Sequence, residues 1–363
     1  MKEEYQTIRD KRFIWYSLFL IFWLFTMAWT VVAQQVVTGR IIDATDGEPI
    51  PYASIFIANT TVGIVSDESG NYSVTVPGTG SFEIGVSHVG YQPVFHKVEI
   101  PKSFHQIHFV LEIREIPEVV ITAPNNYRES DVRLFWRMLL GERPTKNGME
   151  VLNPEKIYLY RNSDNVLHVS CNEPIEIVNH EMGYRIWYML KNFQYNYRQD
   201  YATFSGVPVF EELTPQNNRQ KVGWERKRRE VYAVSVTRFM RALYRKELYE
   251  NGFLLVEKDA ARQTKTPFPL NDILQANQVY MDVNIETPLF LGCLSMPITG
   301  EMIRNTWDTL FDNRAKFPIT VLLPQQITVF SDGTYTGILE TQEYRNSLFG
   351  RLCAILPAEY DDK

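Results

Sequence analysis

Residues 63–74 read GIVSDESGNYSV, and the fold turns on what Asp67, Glu68 and Asn71 do around Gly70. Oxygen-bearing side chains beside a glycine suggest a calcium loop. A loop of the helix-loop-helix kind carries ligands at alternating positions, Gly at the sixth and a bidentate Glu at the twelfth. Counted from Asp67, the sixth residue is Tyr72 and the twelfth is Gly78, so the spacing fails. A tight turn accounts for the same residues. An Asp side chain accepts hydrogen bonds from backbone just ahead of it, and Gly tolerates positive φ. Strand patterns flank the turn: Tyr72, Val74 and Val76 alternate on one side, Ala53, Ile55 and Ile57 on the other.

Outward from that turn, VVTGRIID, YASIFIAN, VGIVS, NYSVTVP, FEIGVSHVG, QPVFHKVEI and HQIHFVLEI are seven short strand candidates separated by turn residues. Strands at this spacing predict a β-sandwich or barrel. The residues Gly39, Gly47, Pro49, Ile50, Ala53, Gly63, Asp67, Gly70, Tyr72, Gly90 and Tyr91 carry a resemblance. Together they look like the carboxypeptidase-regulatory-like domain. The resemblance implies a transthyretin-like sandwich of the type found beside some metallocarboxypeptidase domains. It also implies the company of TonB-dependent outer-membrane receptors and other exported Gram-negative proteins. EVVITA, residues 118–123, fits the usual close of such domains.

The family label invites a peptidase reading, and His96-Lys97-Val98-Glu99 matches the H-x-x-E of zinc carboxypeptidases. On a strand, however, His96 and Glu99 project to opposite faces, whereas zinc needs ligands converging at about 2 Å. His105 and His108 come soon after, and the later histidines, His168 and His180, sit in β-like segments without an acidic partner in a recognisable pattern. Ser87 and His88 are strand neighbours and face apart, so they are not a nucleophile–base pair. No H-E-x-x-H, G-x-S-x-G or P-loop motif occurs. The expectation is a chain without catalytic, cofactor or metal residues; a metallocarboxypeptidase-type hydrolase is the alternative.

Lys2, Arg9, Lys11 and Arg12 precede an uncharged apolar run at residues 13–33, which ends in the small Ala33. This reads as a secretory signal peptide. An uncleaved anchor is the alternative, because about 20 apolar residues can span a bilayer. The leader implies export, and the resemblance implies the periplasm or the outer membrane as the destination. A net charge of −6 gives no whole-protein pull towards nucleic acid. Cys171, Cys293 and Cys353 are too few and too scattered for a disulfide framework or a zinc ribbon, and read as small buried residues.

The sequence divides into a leader (1–33), the sandwich (34–123), a helical linker (124–150) and a larger α+β domain (151–363) with an antiparallel sheet and one prominent helix. In the linker, Ser130 is a plausible N-cap, Leu134, Phe135, Met138 and Leu139 form the apolar stripe, and Gly141 ends it. KIYLYRN, VLHVS, PIEIVN, YRIWYMLKNFQYNY and YATFSGVPVF read as a meander of aromatic-rich strands. Exposed Trp187, Tyr195 and Tyr197 would suit a glycan. Residues 224–253 predict one helix that Gly252 ends, with Tyr232, Val236, Phe239, Met240 and Leu243 inward. Arg238, Arg241 and Arg245 share a second stripe: either a solvated face or a surface for lipid phosphate or an acidic partner. Arg226, Lys227, Arg228 and Arg229 add a basic knot upstream. Asp332-Gly333 predicts a hairpin turn. GVPVFEEL, the helix and ILPAEY are similar to a group of uncharacterised exported proteins carrying the same first module. The function expected is a non-enzymatic binding or scaffolding role at the periplasmic side of the outer membrane, with an outer-membrane protein or an envelope glycan as partner; glycan binding as such is the alternative.

Overall fold

The computed structural model describes residues 35–78, 80–100, 106–113, 128–141, 148–171, 173–198, 201–258, 265–267, 274–276, 280–285, 289–293, 320–322, 325–336, 341–343 and 351–361. The leader, His105, the EVVITA stretch and the Pro124-Asn125-Asn126 linker start lie outside them. The described fold is mainly β.

All seven strands expected first are present: β1 (Gln35–Asp43), β2 (Ser54–Ile57), β3 (Gly63–Val65), β4 (Asn71–Val76), β5 (Gly80–Ser87), β6 (Val94–Ile100) and β7 (Phe109–Leu111). They form two sheets, ordered β4-β1-β7 and β3-β2-β5-β6. Period-two alternation decides what goes inside. Tyr72, Val74 and Val76 of β4 are buried while Asn71, Ser73 and Thr75 are exposed. They pack with Val37, Ile41, Ile55, Ile57, Ile84 and Val86 in one core, each such side chain contributing about 1.5–3 kcal/mol by leaving water. The parallel pairing of β1 with β7 places Ile41 opposite Phe109. Alternation reports faces and not strand direction, so this pairing could not be read from the pattern.

Helix α1 (Glu129–Leu140) comes next. Its N-cap is Arg128 and not Ser130. Asp131, at the third helical position, accepts from the Arg128 N–H at 2.8 Å, which is what moves the start two residues upstream. Leu134, Phe135, Leu139 and Leu140 are buried in a core shared with a six-stranded sheet. That sheet contains β8 (Met149–Val151), β9 (Ile157–Arg161), β10 (Val166–Cys171), β11 (Ile175–Asn179), β12 (Tyr184–Asn196) and β13 (Tyr201–Glu212). It is antiparallel but not a simple meander. The first five residues of β12 pair with β11 and its last three with β10, while β13 runs along its other edge. A strand of 13 residues is long enough to serve two short partners end to end.

The predicted single helix is two: α2 (Asn218–Tyr232) and α3 (Val236–Arg245). Ser235 breaks it by capping α3, its hydroxyl accepting from the Arg238 N–H at 3.1 Å. The end is also earlier than Gly252; Lys246 takes the left-handed cap conformation at φ 60°. The remaining strands are β14 (Phe253–Lys258), β15 (Lys265–Pro267), β16 (Leu274–Ala276), β17 (Tyr280–Ile285), β18 (Leu289–Cys293), β19 (Thr320–Leu322), β20 (Gln325–Phe330), β21 (Tyr335–Thr336) and β22 (Thr341–Glu343). They form sheets β15-β14-β18-β19-β22 and β16-β17-β20-β21, and α3 packs Phe239, Met240 and Leu243 into their core. The hairpin at Asp332-Gly333 joins β20 to β21 as expected, with Gly333 at φ 88°. Cys353 is buried, and the Cys171 thiol reaches the carbonyls of Lys156 and Glu173.

Candidate functional site

The polar residues of the first module bend the chain. Asp67 Oδ1 accepts from the Ser69 and Asn71 N–H groups at 2.9 and 2.8 Å. The Asn71 N–H, ahead of the burial that opposes it, holds this carboxyl below its usual pKa. Gly70 sits at φ 73°, and a Cβ there would lie 2.6 Å from the Ile41 carbonyl oxygen. Gly70→Val is therefore expected to lose at least about 2 kcal/mol of stability, from the left-handed backbone alone. Calcium is expected to leave the melting temperature of the unaltered protein unchanged; calorimetry with and without the ion checks both. His96 is exposed, and Glu99, on the opposite face of β6, pairs with Lys97 at 3.6 Å. Among the described residues no three His, Cys, Asp or Glu side chains come together as metal ligands would.

The three stretches singled out late in the sequence converge on one place. The module and the larger domain belong to one compact unit, and the turn between β2 and β3 joins them. Asn59, at φ 63°, donates its N–H to the Pro208 carbonyl of β13 at 2.7 Å. Phe210 N–H donates back to the Thr60 carbonyl at 3.0 Å. On the other side Ala358 N–H reaches the Asn59 carbonyl at 2.7 Å, and Glu359 accepts from both the N–H and the hydroxyl of Thr61. The module's turn thus lies between the edge of β13 and the segment 351–361. A second tie runs from Ser81 N–H to the Thr334 hydroxyl at 3.0 Å. Gly80, at φ 148°, faces Asp332 and Thr334 so closely that any Cβ would collide with both side chains. Lys191 pairs with Glu83 at 2.9 Å, an exposed contact of little weight.

Segment 351–361 is itself held by α1 and α3. Arg351, 1 % exposed, donates to the Arg137 carbonyl at the end of α1, and Leu352, Ala354 and Leu356 enter the main core. Arg241 then fastens the other end. Its guanidinium donates to the carbonyls of Asp332 (2.7 Å), Tyr360 (2.9 Å) and Ala358 (2.9 Å) and to the Tyr232 hydroxyl (2.8 Å). Of the predicted arginine stripe, Arg238 donates to the Ala233 carbonyl at 2.6 Å and lies over Phe253. Arg245 is exposed and lines a cleft of about 290 Å³ with Arg241, Tyr232, Phe82, Asp332 and Glu359. The three arginines share a helix face, but two of them are committed to internal carbonyls.

Asp332 accepts from the N–H and hydroxyl of Thr334, and burial pushes its carboxyl above the ordinary value of 3.8. Arg241 and the Thr334 bonds oppose that shift without reversing it. The folded state therefore binds this proton more tightly than the unfolded chain. Stability from Asp332 is full below 3.8 and falls as pH rises through the raised value. Asp332→Asn, which retains an acceptor for Thr334, is expected to raise the midpoint of thermal unfolding at pH 7 and to flatten its change between pH 4 and 7.

Aromatic residues of the large sheet lie on both faces: Tyr184, Tyr188, Phe193 and Phe210 are buried, whereas Tyr158 and Tyr160 of β9 are exposed. Tyr195 is 5 % exposed, Trp187 is half-buried, and Tyr197 gives its hydroxyl to Asp131, so these three form no open ring platform. Asp131 is a residue that spacing did not single out. It is fully buried, receives Arg161 at 2.6 Å and the Tyr197 hydroxyl, and Arg161 in turn lies 4.2 Å over the Tyr197 ring. The sequence signal was an acid at the start of a helix; its partners lie 30 and 66 residues on.

Residues 37–121 match the CarboxypepD_reg-like domain family, a non-catalytic family. A TonB-dependent receptor P39 from Formosa agariphila is 36% identical over 121 residues, or 32% of this chain. The chain spans 11% of that receptor's length. Among solved structures, a membrane-associated protein of unknown function from Bacteroides fragilis aligns with 43% of this chain and 65% of its own, at 15% identity and a TM-score of 0.18. Catechol 1,2-dioxygenase from Acinetobacter aligns with 23% of this chain and 54% of its own, at 14% identity and a TM-score of 0.18.

Proposed function

We propose that this is a non-enzymatic envelope protein that holds its regulatory-like module in one fixed pose, as a binding or scaffolding element at the periplasmic side of the outer membrane. The observation that carries the reading is the junction. The β2–β3 turn is bonded on one side to β13 and on the other to segment 351–361, which Arg241 fastens. A module pinned in this way presents its surface with little ordering entropy left to lose when a partner binds. The family of residues 37–121, and its presence in a TonB-dependent receptor, support an envelope setting. The partner is an outer-membrane protein or an envelope glycan.

Cell fractionation, zinc analysis and a peptide-hydrolysis assay on the purified full chain test this together. The expected result is recovery with the envelope, no stoichiometric zinc and no peptide hydrolysis; crosslinking in whole cells should join the module to one outer-membrane component. Stoichiometric zinc with peptide hydrolysis that His96→Ala abolishes would overturn it in favour of the metallocarboxypeptidase.

A further inference from the structure

We infer that the outer face of α2 is a docking surface for a bilayer carrying anionic phospholipid headgroups. The chain as a whole has a net charge of −6, yet α2 places six Lys and Arg against two Glu in 15 residues. The inward side of this helix is settled. Trp224 and Val231 are buried, the Trp224 N–H donates to the His180 carbonyl at 2.8 Å, and Arg228 donates to the carbonyls of Met182 and Gly183. Diametrically opposite, Arg219, Val222, Arg226 and Arg229 recur at the three- and four-residue spacing of one helix face, and all four are exposed.

The basic knot divides between the two sides. Arg228 and Lys227 are occupied by Glu212 (2.8 Å) and Glu181 (3.0 Å). Arg226 has only the exposed Glu230 at 3.9 Å, a contact with little hold on it. Arg219, Lys221 and Arg229 have no acidic partner among the described residues. The cations therefore stay available, in an otherwise acidic protein, along one line of an exposed helix.

Two features favour a bilayer over a single bound anion or an acidic protein. The stripe is a straight line without a pocket, which suits many weakly held charges on a flat surface better than one phosphate. In its middle sits the exposed Val222, an uncharged side chain that puts no negative charge between Arg219 and Arg226. Attraction to anionic headgroups falls off within a Debye length, so α2 has to lie against the surface to be held there. This inference does not rest on the scaffold reading and can fail or stand without it.

The test is co-sedimentation of the full chain with two kinds of vesicle: phosphatidylcholine alone, and phosphatidylcholine with about a third phosphatidylglycerol. Any insertion of the apolar run is common to both, so only the difference between them reports headgroup charge. Binding to the anionic vesicles is expected to be about tenfold tighter, and raising salt to about 0.5 M should remove that preference. The variant R219Q/K221Q/R226Q/R229Q, altered only at exposed positions or a helix flank, should lose the preference with its circular dichroism unchanged. Equal binding to both vesicles overturns the inference, as does a preference that survives the four substitutions. The salt titration on the unaltered chain decides the matter should the variant misfold: a preference that persists at high salt also overturns it.

Discussion

Replacing Asp131 by Ala is expected to lower the unfolding free energy by about 3–5 kcal/mol. The carboxylate is fully buried and holds Arg161 at 2.6 Å, the Tyr197 hydroxyl, and the Arg128 N–H at 2.8 Å. Most of the loss comes from the group left behind: a guanidinium 19% exposed with its counter-ion gone. The double variant Asp131→Ala, Arg161→Met is expected to recover much of the loss, because removing both charges avoids that penalty. Denaturant unfolding of Asp131→Ala, Arg161→Met, the double variant and the unaltered chain gives the cycle. Acid gives a second readout. Burial pushes the Asp131 pKa up, but Tyr197, Arg128 and Arg161 together outweigh it and hold the group below 3.8. Its contribution is therefore present above the unfolded value and is lost as pH falls through the depressed folded one. The unaltered protein should lose stability below about pH 4 more steeply than the Asp131→Ala variant. The network ties the first turn of α1 to β9 and to the end of β12, while Arg351 meets the last turn of α1. Loosening it should loosen the helix that leads from the module into the larger sheet.

How much could be read in advance depended on the range of the interaction. Asp67 and Gly70 are legible because an Asp-capped turn closes within four residues, and β4 is legible because its faces alternate within six. The mainly β fold emerged from such local signals. The break between α2 and α3 was missed because the apolar spacing from Tyr232 to Leu243 runs across it. The usable signal was Ser235, a cap residue inside the stripe. Arg241 was read as one member of a surface stripe because spacing reports only helix face. Its acceptors are carbonyls 91 to 119 residues away, and a carbonyl carries no side-chain signature at all. The same holds for Asn59, whose partners Pro208 and Ala358 are recognised through backbone groups alone. GVPVFEEL and ILPAEY form the two sides of the junction, and nothing in their spacing announces it.

Arg241→Ala is the second large effect expected, and it separates a pinned module from a merely adjacent one. This guanidinium donates four hydrogen bonds, three of them to carbonyls that tie segment 351–361 and the β20–β21 turn to α3. Bonds from a charged donor are the stronger kind. A loss of about 3 kcal/mol is expected, and its location matters more than its size. Segment 351–361 supplies Ala358 and Glu359 to the β2–β3 turn, so freeing it should unfasten the module while leaving both cores closed. Hydrogen exchange should quicken at Asn59, Thr61 and Ser81, with the amides of β4 and β12 as protected as before. Arg241→Lys should recover only part of the loss, because an ammonium cannot reach four acceptors with the planar fork that the site requires. Exchange that quickens uniformly through the module would mean that Arg241 supports its core and not its docking. Unchanged exchange at Asn59 and Thr61 would mean that β13 alone holds the turn. In either case segment 351–361 would lose its role as the clasp.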